Sequence, residues 1–187
     1  MRHRPPTGPP PAARATRVAL GLGGNVGDPL YWFRTAARVF ARHLRSLAAA
    51  PLYCTDPVSP VLQPAYLNTV LAGTTTTSPE DLLAIAKALE RAAGRPIAPL
   101  RDHPRPLDID LLVYGDEVRT TAELELPHPR LRERRFALQP LADLDPEWRL
   151  PPDGRTSSEV LKDLKEVPRV ERLGDWWPPP IRKRLSG

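Results

Sequence analysis

The 187-residue sequence contains a single cysteine, Cys54, which excludes an internal disulfide and fits a reducing compartment such as the cytoplasm. No apolar run approaches the ~18 residues that span a bilayer, and no apolar stretch follows the early arginines as a secretory signal would require. The expectation is a cytoplasmic protein with no membrane partner. Acidic residues are missing from positions 1–17, which carry Arg2, Arg4, Arg14 and Arg17, and from 181–187, which carry Arg182, Lys183 and Arg184. These seven basic residues exceed the net charge of +5, so the rest of the chain stands at −2. A nucleic-acid module would carry its basic residues as a stripe on the folded face, so no specific nucleic-acid partner is expected.

What is abundant is proline, 25 residues, and apolar residues, at 41% enough for one buried core and too few positions for two domains. Residues 1–16, with five prolines, read as a disordered extension, 17–165 as the folded domain, and 166–187 as a C-terminal tail whose Trp176 and Trp177 dock on the body. Hydrophobic patterning predicts strands over 17–22, 48–54, 66–76, 107–114 and 124–126, and helices over 29–47, 78–93, 131–144 and 157–164. The order β-α-β-β-α-β followed by further strands and helices predicts an α+β sandwich of ferredoxin-like type with its helices on one sheet face. The glycine-rich turn 21–28, leading to Asp28-Pro29, suits either an anion at the helix start or a plain strand-to-helix turn.

The most informative stretch is Arg105-Pro106-Leu107-Asp108-Ile109-Asp110-Leu111-Leu112. Strand alternation puts Asp108 and Asp110 on one face, roughly 6.6 Å apart along the backbone, with Leu107, Ile109 and Leu111 on the other. Two carboxylates so placed suit Mg²⁺, which commonly takes one or two carboxylates together with water and phosphate oxygens. The plainer alternative is a solvated face on which they pair with Arg101 or Arg105. Arg95, Arg101 and Arg105 approach this strand through a segment stiffened by Pro96, Pro99, Pro104 and Pro106, which reads as a cationic loop fit for phosphate oxygens and ordering only around ligand.

Several segments together resemble the 6-hydroxymethyl-7,8-dihydropterin pyrophosphokinase family. They are Gly23-Gly24-Asn25-Val26-Gly27-Asp28, Tyr53-Cys54-Thr55-Asp56-Pro57-Val58, Gln63-Pro64-Ala65-Tyr66-Leu67-Asn68, Arg105-Pro106-Leu107-Asp108-Ile109-Asp110, and Leu126-Pro127-His128-Pro129-Arg130 with Arg134-Arg135-Phe136. The resemblance implies a ferredoxin-like fold and Mg²⁺-dependent transfer of pyrophosphate from ATP to the pterin hydroxymethyl group in folate biosynthesis; apart from the resemblance, a monomer is the expectation, with the sequence leaving the oligomeric state open. Carried over by residue, it implies two Mg²⁺ ions on Asp108 and Asp110, and phosphate-clamping Arg95 and Arg105. It places the pterin between Tyr66 and Phe136, against Asn68 and the Thr55, Asp56 and Val58 segment. ATP falls to Lys87, Glu90, Arg101, Leu111, His128 and Arg134. Read without the family, Tyr66 and Phe136 are core aromatics, His128 a turn residue, and Glu90 a helix-surface partner of Lys87. Asp102 and His103 depart from the family pattern and motivate one alternative, a catalytically impaired relative kept for interaction. A ferredoxin-like nucleic-acid module is the other.

Overall fold

The structure is a computed structural model that describes residues 15–57, 62–94, 103–166 and 169–177. Its centre is β1 (Thr16–Gly24), which pairs antiparallel with β4 (Tyr66–Thr75) on one side and β5 (Asp108–Tyr114) on the other. The full order is β10-β3-β4-β1-β5, with β3 spanning Leu52–Thr55 and β10 spanning Val170–Gly174. A further strand, β2 (Arg45–Ala49), also pairs with β4.

Helix α1 (Pro29–Phe40) starts where Asp28 accepts the Tyr31 backbone N–H at 2.9 Å and Pro29 occupies the first turn, where its missing N–H costs nothing. It ends at Phe40 and not near 47 as the apolar spacing predicts. The backbone N–H groups of His43 and Leu44 both turn back on the Phe40 carbonyl, and the following residues join β4 as β2. Gly73 permits that close approach, since a Cβ there would lie 2.8 Å from the Arg45 carbonyl oxygen. Sheet pairing thus overrides a helix-compatible Leu-Ala-Ala-Ala run. The single strand expected over 48–54 is split as well. Pro51 has no N–H to donate, while Ala50 donates to the Val70 carbonyl at 2.8 Å, so the chain bends between β2 and β3.

Helix α2 (Pro79–Ala92) is capped by Ser78, which accepts the Asp81 N–H, and stops before Gly94 at φ +91°. After β5 come a hairpin of β6 (Arg119–Thr120) and β7 (Glu125–Leu126), a 3-10 turn at Leu131–Glu133, and α3 (Arg135–Leu144). A second hairpin, β8 (Arg149–Leu150) with β9 (Arg155–Thr156), leads through a Thr156–Glu159 capping box into α4 (Ser157–Asp163).

Helices cover both faces of the sheet, which corrects the expectation of one covered face. Phe33, Phe40, Leu82 and Ala86 of α1 and α2 pack with Leu20, Leu71, Ile109 and Leu111. Leu138 and Leu141 of α3 and Val160 of α4 pack with Val70, Ala72, Leu112 and Val113. The reason lies in β4 and β5, which are apolar on successive residues, so two faces require cover. The segment 166–187, read as a tail, contains the edge strand β10 and a buried Trp176. The indole N–H of Trp176 donates to the Ala50 carbonyl at 2.9 Å and the Thr69 hydroxyl at 3.1 Å, and its ring meets Phe33 edge-on. Among the described residues no helix is long and apolar enough to cross a membrane.

Candidate active site

The site forms where β1 ends and β5 begins. Register places Gly23 opposite both Asn68 of β4 and Asp108 of β5, and Gly21 opposite Asp110. Two residues without side chains therefore separate Asn68 from the two carboxylates. This makes a trough across the central strand, a cavity of about 310 Å³. Its floor is set by Leu112, where the β1–β5 register shifts, and a Cβ on Gly21 would crowd the Leu112 side chain at 3.3 Å.

Asp108 and Asp110 both open into this cavity, 23% and 33% exposed at the side chain, as the strand alternation predicts. Each has a guanidinium beside it. Arg105 meets Asp108 at 2.7 Å, the pairing the plainer reading named, and Arg134 meets Asp110 at 3.4 Å. His128 is 3.7 Å from Asp110 through Nε2, and its Nδ1 accepts the Arg130 N–H at 3.2 Å. Burial, aided by the Arg134 charge, pushes the His128 imidazole down to about 4, so it is neutral at neutral pH. With Nδ1 accepting, the one proton sits on Nε2, facing Asp110.

On the other side of the glycine trough stand Thr55, Asp56, Tyr66 and Asn68, with Phe136 at the start of α3, all lining the cavity. Asn68 is buried and donates to the Thr55 hydroxyl at 2.7 Å. Tyr66 and Phe136 are half-buried. Tyr66 belongs to neither core cluster, whereas Phe136 packs partly on the α3 side, with the Arg134 guanidinium 5.6 Å from its ring centroid. The structure thus brings together Arg105, Asp108, Asp110, Arg134 and five of the six pterin-side residues, the sixth being Val58.

Four residues assigned to ATP by resemblance do not line the cavity. Leu111 is buried in the core beneath α2. Glu90, 3% exposed, accepts the Ile109 N–H at 2.8 Å and Lys87 Nζ at 3.0 Å, fastening α2 to β5. Its burial raises its carboxyl above the usual range, against the opposing effects of the Ile109 bond and Lys87. Lys87 is half-buried beside it. His128 touches the cavity only through Asp110. Val58, Arg95, Arg101 and the loop expected to close over ligand lie outside the described residues, save for 103–105.

Gly21, Gln63, Leu112 and Arg130 also line the cavity, and no role was assigned to them from sequence. Alternate glycines in a strand were the available signal for the first, since they mark close approach or an opening. Gly24 shows close approach: a Cβ there would sit 2.5 Å from the Pro106 carbonyl oxygen. Gly24→Ala should push away the backbone that carries Arg105, lowering stability by ~1–3 kcal/mol and the melting temperature by several degrees. Gly27→Ala, at φ +68° but with open space around it, is the control and should lose only ~1 kcal/mol. Thermal denaturation of the two variants checks this, and equal melting temperatures would contradict the close-approach role.

The arrangement is one anionic corner edged by guanidinium groups and one aromatic, amide-lined corner, within a single cavity. A family model described as 7,8-dihydro-6-hydroxymethylpterin-pyrophosphokinase (HPPK) matches residues 19–146. The 2-amino-4-hydroxy-6-hydroxymethyldihydropteridine pyrophosphokinase of Pseudomonas aeruginosa is 41% identical over 147 residues, which cover 78% of this chain and 90% of that protein. A folate synthesis bifunctional protein of Arabidopsis thaliana is 40% identical over 128 residues, covering 68% of this chain but only 26% of its own length. Among solved structures, Plasmodium falciparum HPPK-DHPS superposes with a TM-score of 0.59 at 14% identity, covering 79% of this chain and 43% of that one, a likeness of fold. The match across both corners of the cavity, and nearly the full length of the bacterial relative, leads to one conclusion: the chain belongs to the 7,8-dihydro-6-hydroxymethylpterin-pyrophosphokinase family.

Proposed function

We propose that this cavity is where ATP and 6-hydroxymethyl-7,8-dihydropterin meet, and that the chain transfers the terminal pyrophosphate of ATP to the pterin hydroxymethyl group, releasing AMP, in folate biosynthesis. The observation that carries the reading is that the carboxylate corner and the aromatic amide corner open into one cavity, separated by side-chain-free Gly21 and Gly23. The strand order and the antiparallel pairing of β3, β4, β1 and β5 support the ferredoxin-like description of the core.

The donor chemistry fits Mg²⁺. Asp108 and Asp110 are two carboxylates on one strand face, partly open to solvent, and Mg²⁺ favours such a pair completed by water and substrate phosphate oxygens. Among the described residues no three His, Cys, Asp or Glu side chains converge, so completion would fall to the nucleotide. When bound, Mg²⁺ neutralises phosphate charge and helps align the in-line displacement. In the reaction the pterin hydroxyl oxygen forms a bond to the β-phosphorus. The bond from that phosphorus to the α–β bridging oxygen breaks, AMP leaves with the electron pair, and the hydroxyl proton passes to solvent. Arg105 and Arg134, already beside the carboxylates, supply the guanidinium forks that hold phosphate oxygens through this charge redistribution. The neutral His128 stands beside Asp110 with its Nε2 3.7 Å away, too long for a direct hydrogen bond. Tyr66 and Phe136 sandwich the pterin ring, and Asn68, which both donates and accepts, reads its polar edge with Thr55 and Asp56. Arg95, Arg101 and Val58 keep the roles the family resemblance gives them, whereas Glu90, with Lys87, fastens α2 to the carboxylate strand and Leu111 packs behind it, away from the cavity. The reading includes a reducing, cytoplasmic setting, in keeping with a single thiol at Cys54, and a monomer.

The test is AMP formation from ATP. It is expected to require both Mg²⁺ and added 6-hydroxymethyl-7,8-dihydropterin. ADP as the nucleotide product, or AMP made equally well without the pterin, would defeat the reading.

A further inference from the structure

Between Asp28 and Asp56 the chain has no acidic residue, yet it carries Arg34, Arg38, Arg42, His43 and Arg45. The −2 of the body is therefore an average over separated charge. Helix α1 buries Phe33, Ala36, Ala37 and Phe40 against the sheet, so Tyr31, Arg34 and Arg38 are left exposed on its outer side. The turn that follows keeps winding, with the Arg42 backbone N–H donating to the Val39 carbonyl at 3.1 Å, so the spacing of four carries the row on to an exposed Arg42. Arg45, also exposed, opens β2.

Nothing in the folded chain offsets this row. Arg17, Arg119, Arg132, Arg155 and Arg172 each meet a carboxylate. Arg34, Arg38, Arg42 and Arg45 meet none among the described residues. Like charges four residues apart on a helix repel each other. The helix dipole favours cations near the C-terminal end, which accounts for Arg38 and Arg42 but not for Arg34 in mid-helix. None of these residues lines the active-site cavity, so the site does not explain them either.

We propose that the outer face of α1 is a sequence-independent docking surface for single-stranded nucleic acid, with Arg34, Arg38 and Arg42 on successive phosphates and Tyr31 beneath a base at one end. Along the helix axis these arginines are ~6 Å apart, a step comparable to that between neighbouring phosphates of one strand. Their planar guanidinium groups hold phosphate oxygens in pairs. Tyr31 is 55% exposed and braced edge-on by Trp32, the ring centroids 5.2 Å apart, which leaves a ring for a base to stack on. An acidic protein would need apolar anchors at the centre of its interface, and Tyr31 is the one large apolar side chain exposed on α1. An anionic bilayer would take up the apolar side of the helix, which is buried in the core. Contacts to phosphate carry no sequence information, so the surface reads the backbone alone.

Fluorescence anisotropy would measure binding of the full chain to a labelled oligo(U) of about 12 nucleotides, from ~50 mM salt upward. The unmodified protein should bind at low salt with a Kd on the order of 10 μM, weakening steeply as salt rises. The triple variant Arg34→Gln, Arg38→Gln, Arg42→Gln should bind at least ~10-fold more weakly, with a salt slope shallower by ~2, the share of three phosphate contacts on a single strand. Tyr31→Ala should lose ~5-fold or more with the slope unchanged, because stacking displaces no counterions. A charge-matched control, Arg149→Gln, Arg155→Gln, Arg169→Gln, removes arginines that lie off α1 and should stay within about 3-fold of the unmodified chain. The α1 substitutions are all on exposed positions, so melting temperature and AMP formation should hold. No binding by the unmodified chain overturns the proposal, as does binding that survives the triple variant, which would place the strand in the cationic active site. Equal loss in the control overturns it in favour of diffuse charge. Poly-glutamate bound as tightly as oligo(U), or capture by anionic phosphatidylglycerol vesicles without oligo(U) binding, overturns it in favour of an acidic protein or a membrane surface.

Discussion

Replacing Asp108 or Asp110 with alanine is expected to reduce pyrophosphate transfer by about two to four orders of magnitude while leaving the fold intact. The size follows from several kcal/mol of charge stabilisation, at ~1.36 kcal/mol for each tenfold in rate. Both residues lie at the margin of β5, partly exposed, and their removal creates no core cavity. Asp108 is paired with Arg105 at 2.7 Å and Asp110 with Arg134 at 3.4 Å, so each variant leaves one guanidinium without that carboxylate. Because these groups still reach solvent, the stability change should stay within ~1 kcal/mol, and it should be larger for the shorter Asp108 pair. Activity and melting temperature would be measured with and without Mg²⁺ and nucleotide. Near-normal turnover in either variant would defeat the metal assignment. A large fall in melting temperature would point to the ion pairs as structural fasteners.

The second large effect is expected at the aromatic corner. Tyr66→Ala and Phe136→Ala should each weaken pterin binding by about tenfold or more, the scale of a lost stacking surface on a flat heterocycle, and change nucleotide affinity by less than about 3-fold. The two should differ in stability. Tyr66 belongs to neither core cluster, so its truncation should leave the melting temperature nearly unchanged. Phe136, in the first turn of α3, packs partly against the core on that side of the sheet and should lose ~1–2 kcal/mol. Separate calorimetric titrations of the two ligands distinguish this from a core role, under which both affinities would fall together with the melting temperature. Phe136→Ala also strips the ring from beside the Arg134 guanidinium, so any small nucleotide effect should appear in that variant first.

Local signals carried much of the site. The caps at Asp28 and Ser78 stand where short polar side chains precede Pro29 and Pro79, because an N-cap is settled by a few neighbouring atoms. Helix ends and strand breaks were less legible. Residues 41–47 continue the apolar spacing of α1, yet β2 forms there because β4 offers a ladder and Gly73 leaves room for it. Nothing within 41–47 announces a partner some thirty residues away. The same limit hid Asn25, whose place in a glycine-rich turn suggested an anion or a plain reversal. Its partners are Gln63, Pro64 and Arg105, which are separated in sequence and joined only by folding.

By itself the sequence determined that Asp108 and Asp110 share a strand face, since side chains alternate along any extended chain. It also determined which residue types were available for phosphate and pterin, and that one thiol permits no internal disulfide. Only the tertiary structure decided that Gly21 and Gly23 lie between those carboxylates and Asn68, that Leu111 and Glu90 face away from the cavity, and that helices cover both sheet faces. Alternation and capping depend on neighbours along the chain. The width of the trough depends on which strand lies beside which, and that is selected by burying both apolar faces of β4 and β5 together.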